Sequence, residues 1–179
     1  MRHWFILSAV GRDRPGIVAD LAQLVFDCEA NLEDSRMTLL GNEFAAIFLC
    51  SGSSDDLQQR LSDGARRLEW ENRLTVFLRP LEGQPRPPVP AAGSRLARVA
   101  AEGEDRAGIV ARICRLLADL SINIADLRSE TQPSPSGSAI YRMSLLVEVP
   151  DSVKAADFSS ALDEVGREIG VEVRVEPAE

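Results

Sequence analysis

Gly11-Arg12-Asp13-Arg14-Pro15-Gly16-Ile17-Val18-Ala19 occurs a second time in this chain, as Gly103-Glu104-Asp105-Arg106-Ala107-Gly108-Ile109-Val110-Ala111. The two copies are 92 residues apart (103 − 11). The same offset pairs Leu24 with Leu116, Asp27 with Asp119, Asn31 with Asn123, Asp34 with Asp126 and Arg36 with Arg128. An internal repeat dictates the architecture before any single element is assigned. The sequence therefore predicts two copies of one small unit.

Each copy of the repeated stretch is predicted to form the turn between a strand and a helix. Trp4 to Val10 is a short apolar run, typical of a mostly buried strand. Beyond the turn, apolar residues recur at helical spacing in both copies: Ile17, Val18, Leu21, Leu24, Val25 and Cys28, then Ile109, Val110, Ile113, Leu116, Leu117 and Leu120. Asp13 and Asp105 are predicted to cap these helices, and Pro15 is predicted to lie in a first helical turn.

The remaining patterns complete one topology in each copy. In the first copy, strands are predicted at 31–40, 43–51 and 72–79, with a tight turn at Gly41-Asn42. A helix starts after Ser53–Asp56, and its inward face is Leu57, Leu61, Ala65 and Leu68. The second copy repeats the order with strands at 96–102, 123–131, 139–149 and 171–175, a longer loop at 132–137, and a helix bearing Phe158, Leu162, Val165 and Ile169. Two tandem βαββαβ units predict an α+β, ferredoxin-like fold, with antiparallel sheets and two helices on one face of each.

A proline-rich stretch separates the two copies. Pro80, Pro85, Pro87, Pro88 and Pro90 fall close together and are accompanied by Gly83 and Gly93. Such a composition favours a stiff, extended linker. We therefore expect a first domain at 1–80, a linker at 81–94 and a second domain at 95–179.

Composition narrows the function classes. The net charge is −8, and no cluster of basic residues offers a face for nucleic acid, so any control of a gene is expected to act through another protein. Cys28, Cys50, Cys114 and the single His3 lack metal-ligand spacing, so the cysteines are interpreted as small buried hydrophobes. No run is long enough for a membrane span, and no signal peptide precedes the first strand, so a cytoplasmic location is expected.

The motif Gly-x-Asp-Arg-Pro-Gly-Ile-Val, followed by Asn31-Leu32-Glu33-Asp34-Ser35-Arg36, resembles the ACT domain, and the repeat resembles tandem ACT regulatory proteins. The resemblance implies allosteric binding of a small molecule, usually an amino acid, at interfaces between ACT units. It implies no cofactor. The positions that match the motif are the candidate ligand-binding residues: Gly11, Asp13, Arg14, Gly16, Ile17 and Asn31, with Gly103, Asp105, Arg106, Gly108, Ile109 and Asn123. The second copy departs from the motif at Glu104 and Ala107, which predicts a looser turn and unequal affinity of the two copies.

The chemistry of these residues suits an amino acid. Backbone N–H groups at a helix start attract a carboxylate, while an aspartate or the carbonyl of Asn31 or Asn123 could accept from an ammonium group. Several alternatives stay open. An aspartate used as a cap is not free to face a ligand, and glycines and caps can serve only to start a helix. Arg14 and Arg106 could bind a carboxylate bidentately or simply be solvated, and both asparagines could be turn formers.

Two hypotheses remain. The first is a non-catalytic, amino-acid-responsive regulator of transcription that forms homo-oligomers and acts through a protein partner such as a transcriptional activator. The second is an ACT module for oligomerisation and interaction that binds no ligand. Catalysis is disfavoured because the sequence shows no Ser/His/Asp or Cys/His constellation and no specified pair of carboxylates.

Overall fold

The computed structural model of the chain describes residues 1–85, 92–133 and 139–178. The chain divides into two compact units, Met1–Pro87 and Pro88–Glu179, each with a hydrophobic core of its own. Residues 86–91 of the predicted linker and 134–137 of the predicted loop lie outside the described residues. None of the helices within the described ranges is long and apolar enough to cross a membrane.

Both units have the predicted βαββαβ order. The first contains β1 (His3–Arg12), α1 (Ile17–Asp27), β2 (Asn31–Leu40), β3 (Glu43–Gly52), α2 (Leu57–Asn72) and β4 (Thr75–Leu81). The second contains β5 (Ser94–Glu104), α3 (Ile109–Asp119), β6 (Asn123–Pro133), β7 (Ala139–Pro150), α4 (Ala155–Ile169) and β8 (Val171–Pro177). The sheets are antiparallel, with strand orders β2-β3-β1-β4 and β6-β7-β5-β8. The predicted fold class is confirmed.

Alternating strand residues and one face of each helix build the two cores. In the first unit, Phe5, Leu7 and Ala9 of β1 face the helices and are buried. The four residues predicted for the inward face of α2, from Leu57 to Leu68, are all buried as well. Cys28 and Cys50 are buried as predicted, whereas Cys114 is only half-buried. Burial raises the pKa of the Cys50 thiol to about 12, so it behaves as a small apolar residue.

Some predicted boundaries are wrong, each for a local reason. The sequence predicts a strand from Asn72, but α2 includes Asn72 and is followed by its C-cap residue Arg73, which has a left-handed φ of 53°. No glycine or proline occurs between Gly64 and Arg73, so the helix continues to Asn72. In the second unit β6 continues to Pro133 beyond the predicted end, because a proline is tolerated on an edge strand.

β2 and β6 are edge strands with one paired side each. Every residue of β2 is exposed, and every residue of β6 except Ile124 is exposed. Each therefore presents a row of backbone groups that a further strand could pair with.

Candidate functional site

The strand-to-helix turns end in glycines with left-handed backbone. Gly16 and Gly108 are the N-cap residues of α1 and α3, with φ of 89° and 99°. Only glycine adopts such angles without strain. No side chain caps either helix start, so its first backbone N–H groups are left for solvent or a ligand.

The predicted capping role of Asp13 and Asp105 is therefore wrong, and so is the predicted place of Pro15, which precedes α1. Because each aspartate lies three residues before its N-cap glycine, it is too early in the chain to cap. Instead, the backbone N–H of Asp13 donates to the Asn42 carbonyl at 2.9 Å. The N–H of Asp105 donates to the Ala139 carbonyl, also at 2.9 Å. Each turn is thus tied to the hairpin of its own sheet.

Both aspartate side chains are exposed beside an uncapped helix start. Within the described ranges, no hydrogen bond or ion pair engages either carboxylate. The conflict between capping and ligand binding therefore disappears, since Asp13 and Asp105 are not used as caps. An exposed carboxylate next to free N–H donors can accept from an ammonium group while the donors hold a carboxylate.

The arginines that follow have different surroundings in the two units. Arg14 donates to Asp20 of α1, to Oδ1 of Asn72 at 2.6 Å and to the Pro15 carbonyl at 3.2 Å. It therefore clamps the turn to the start of α1 and the end of α2. Its guanidinium is already occupied by the fold.

Arg106 has no equivalent clamp. The residue that matches Asp20 in the second unit is Arg112, which cannot accept a hydrogen bond from an arginine. In addition, α4 ends at Ile169, followed by Gly170 in a left-handed conformation, so it lacks the last helical turn on which α2 carries Asn72. Arg106 is exposed and donates to its near neighbour Glu104 at 2.7 Å. Among the described residues, Arg106 therefore makes fewer hydrogen bonds at its turn than Arg14 does, and the looser second turn stays a prediction.

Gly11, Gly103, Ile17 and Ile109 contribute to packing. A Cβ on Gly11 would lie 2.7 Å from Cδ2 of Leu74, and one on Gly103 would lie 2.7 Å from Cγ1 of Val171. These glycines let the last strand of each unit approach closely. Both isoleucine side chains are buried in the cores. These four positions can meet a ligand only through their backbones.

The two asparagines lie at the opposite end of the sheet from the turns. Asn31 pairs with Ser51 of β3, and Ser51 pairs on its other side with Trp4 near the start of β1. The turn, in contrast, follows the end of β1. The nine residue steps of β2 between Asn31 and Leu40 span about 30 Å. In the second unit, Asn123 is opposite Glu148, far from the contact between Asp105 and Ala139. The structure therefore does not bring either asparagine to the turn of its own unit.

A cluster that the sequence does not predict lies at the same end of the sheet as Asn31, which is opposite Ser51. Arg2 donates from Nε to the Ser51 hydroxyl at 3.0 Å, and both residues contact the carboxylate of Glu33. The Arg2 guanidinium also lies 5.3 Å from the centroid of the Trp4 ring. Ser51 is fully buried, and its partners are 18 and 49 residues away in sequence, so no local pattern could reveal the cluster.

Comparison with known proteins agrees with this architecture. The ACT-domain profile matches residues 3–78. The glycine cleavage system transcriptional repressor of Escherichia coli (strain K12) is 31% identical over 173 residues, which cover 96% of this chain and 88% of that protein. A protein of unknown function from Galdieria sulphuraria has a TM-score of 0.83 at 30% identity, with all of both chains covered.

A solved structure assigned provisionally as a glycine cleavage system transcriptional repressor has a TM-score of 0.74 at 21% identity, over 100% of this chain and 99% of that one, and it shows the same fold. The Escherichia coli relative is by name a transcriptional repressor, which agrees with the regulatory role that the sequence predicts for this chain. The repeat, the two βαββαβ units and the match along nearly the whole length lead to one conclusion: the chain belongs to the family of tandem ACT-domain proteins that includes the glycine cleavage system transcriptional repressor.

Proposed function

We propose that this protein is a cytoplasmic amino-acid sensor and a transcriptional regulator of the glycine cleavage type. It acts by binding a protein partner, such as a transcriptional activator. The name of the Escherichia coli relative supports the transcriptional role. The net charge of −8 favours action through a protein rather than direct contact with nucleic acid. Glycine is the first effector to test.

One observation carries the proposed effector site: an uncapped, glycine-started helix lies beside an exposed and unengaged aspartate in both units. The first N–H groups of α1 or α3 would hold the carboxylate of the amino acid. The ammonium group would donate to Asp13 or Asp105. Effector binding would then shift the population of the arrangement that the partner recognises.

The separation of Asn31 from its own turn supports a site shared between two copies of the chain. If the exposed β2 edges of two copies paired antiparallel, the start of one β2 would lie beside the end of the other. Asn31 of one copy would then approach Asn42, whose carbonyl holds the Asp13 turn, in its partner. In the proposed homo-oligomer, each effector site would thus combine the Asp13 turn of one copy with Asn31 of its partner.

Isothermal titration of the full chain with glycine, serine and the other standard amino acids tests this proposal. Asp13→Asn or Asp105→Asn should weaken binding about tenfold or more, because a charge-assisted hydrogen bond to the ammonium group is lost. Asp157→Asn, an exposed aspartate on α4, is the matched control and should bind as the natural protein does. Full affinity in both turn variants would refute the turns as effector sites.

The exposed β2 edge also favours a second candidate, an oligomerisation module that binds no ligand. Sedimentation velocity with and without amino acid separates the two functions. Flat titrations at concentrations that detect millimolar affinity, with a stable oligomer throughout, would support the module. Saturable heat that accompanies a change in oligomeric state would support the sensor.

A further inference from the structure

The two sheets differ on the open face, which we define as the face turned away from the helices. In the first unit, four exposed apolar side chains lie on this face among polar ones: Val10, Ile47, Leu40 and Phe77. Strand register identifies the equivalent positions of the second unit, which hold charged or small polar side chains: Glu102, Ser144, Gln132 and Arg174. The two copies of the repeat have therefore diverged on a surface that the common core does not constrain.

The second open face contains a depression of about 520 Å³. Ala100 and Ser144 lie directly opposite each other on the central strands and form its floor. Arg128 is opposite Ser144 on β6, and Arg174 is opposite Ala100 on β8. These four residues form one row across the sheet, with small side chains in the middle and an arginine at each end. In the first unit the larger Ile47 occupies the place of Ser144.

The next row, two residues along each strand or about 7 Å away, is mostly acidic. It contains Glu130, Arg142, Glu102 and Glu172, in that order across the sheet. Arg142 donates to both carboxylate oxygens of Glu102, at 3.1 and 3.3 Å. That hydrogen-bonded ion pair lowers the pKa of Glu102, so the two central charges neutralise each other.

Each wall of the depression thus presents one arginine and one glutamate, in matching order. The β6 wall has Arg128 and Glu130, and the β8 wall has Arg174 and Glu172. Both arginines lie in one row and both glutamates lie in the other. Arg128 contacts Asp126 through Nε at 3.3 Å, and Arg174 binds one oxygen of Glu172 through Nε and Nη2. The remaining N–H donors and carboxylate oxygens can bind a ligand.

We propose that this depression is a binding site for a small zwitterion, a free amino acid, in addition to the proposed turn sites. The carboxylate of the ligand lies between Arg128 and Arg174, and its ammonium group lies between Glu130 and Glu172. The alternation of charge fits a dipolar molecule better than an anion, because the glutamate row repels a second negative group. The volume is within the usual range of small-molecule sites, about 300–1,000 Å³.

The test is a titration of the ¹⁵N-labelled full chain with glycine and the standard amino acids, followed by NMR. We expect saturable shifts of amides around Ala100, Ser144 and Arg174 with at least one of them. The N-acetyl and the amide derivative of that amino acid should each bind about tenfold more weakly or worse, because each lacks one of the two charges. Equal binding of either derivative would overturn the zwitterion assignment.

Two matched variants locate the site. Ser144→Ile installs the residue that the first unit has at this position and fills the floor, so it should weaken binding about tenfold or more. Ser8→Ile makes the same change on the open face of the first unit and should leave these shifts intact. An unchanged circular dichroism spectrum and melting temperature of each variant would show that it remains folded.

The outcomes for the two proposals are distinguishable. Shifts confined to the two turns, residues 11–19 and 103–111, or binding that survives Ser144→Ile, would overturn the depression as a site and leave the turn proposal standing. Shifts at the depression that survive Asp13→Asn and Asp105→Asn, with none at the turns, would support it and refute the turn sites. The absence of shifts with every amino acid would overturn both.

Discussion

Replacing Arg14 by methionine should destabilise the first unit, because this guanidinium joins three parts of the fold. It donates to Asp20 near the start of α1, to Asn72 at the end of α2 and to the carbonyl of Pro15 in the turn. Methionine keeps an unbranched apolar stem and removes all three hydrogen bonds. Arg66→Met is the matched control, because Arg66 lies on the surface of α2 and its nearest carboxylate oxygen, on Asp63, is 4.0 Å away.

The exposure of the Arg14–Asp20 pair sets the magnitude of the effect. Its side chains are 37% and 39% exposed. Hydrogen bonds to charged groups contribute about 1.5–3 kcal/mol, whereas exposed ion pairs contribute about 0.2–1 kcal/mol. For this partly exposed cluster we expect a loss of about 1.5 kcal/mol in the free energy of unfolding.

Tryptophan fluorescence in urea measures this effect on the first unit alone, because both tryptophans of the chain, Trp4 and Trp70, belong to it. With an m value of about 1.5 kcal/mol/M, the unfolding midpoint should fall by about 1 M in Arg14→Met and by less than about 0.3 M in Arg66→Met. Equal midpoints in the two variants would refute the clamp. Arg14 would then have to be reconsidered as a residue available to the effector.

Two further predictions concern the side chains of single residues. The Tyr141 hydroxyl is buried and has no hydrogen-bond partner among the described residues, and Phe44 holds the same register position in the first unit. Tyr141→Phe should therefore raise the protection of β7 amides from hydrogen exchange, by about 1 kcal/mol in opening free energy; lower protection would show that the hydroxyl is satisfied. Burial raises the pKa of Cys50 to about 12, so very little of this thiol is ionised until the pH approaches that value. At pH 8, iodoacetamide should therefore modify the less buried Cys114 before Cys50. Faster modification of Cys50, read by mass spectrometry, would contradict this order.

The candidate site was only partly predictable, and the helix starts show why. The sequence placed a strand-to-helix turn between Gly11 and Ile17, and the structure has one there. It assigned the cap to Asp13, whereas Gly16 takes that place with a left-handed φ. Both residue types are favoured at N-caps, so composition cannot choose between them. The choice depends on the residue at which the chain turns away from β1. The hydrogen bond from the Asp13 N–H to the Asn42 carbonyl, in the turn between β2 and β3, holds Asp13 in line with the strand and leaves Gly16 to begin the helix.

The repeat, the order of elements in each unit and the faces that build the cores can all be read from the sequence. These features follow from local periodicity, because the spacing of apolar residues distinguishes a helix from a strand within one element. Three further relations are visible only in the folded chain. Asn31 lies about 30 Å along its strand from its own turn, and Asn72 accepts a hydrogen bond from Arg14. Arg128, Ser144, Ala100 and Arg174 form one row across the second sheet. Strand direction and register set these relations by joining residues far apart in sequence, and a period of two shows which face a residue occupies but not its neighbours across the sheet.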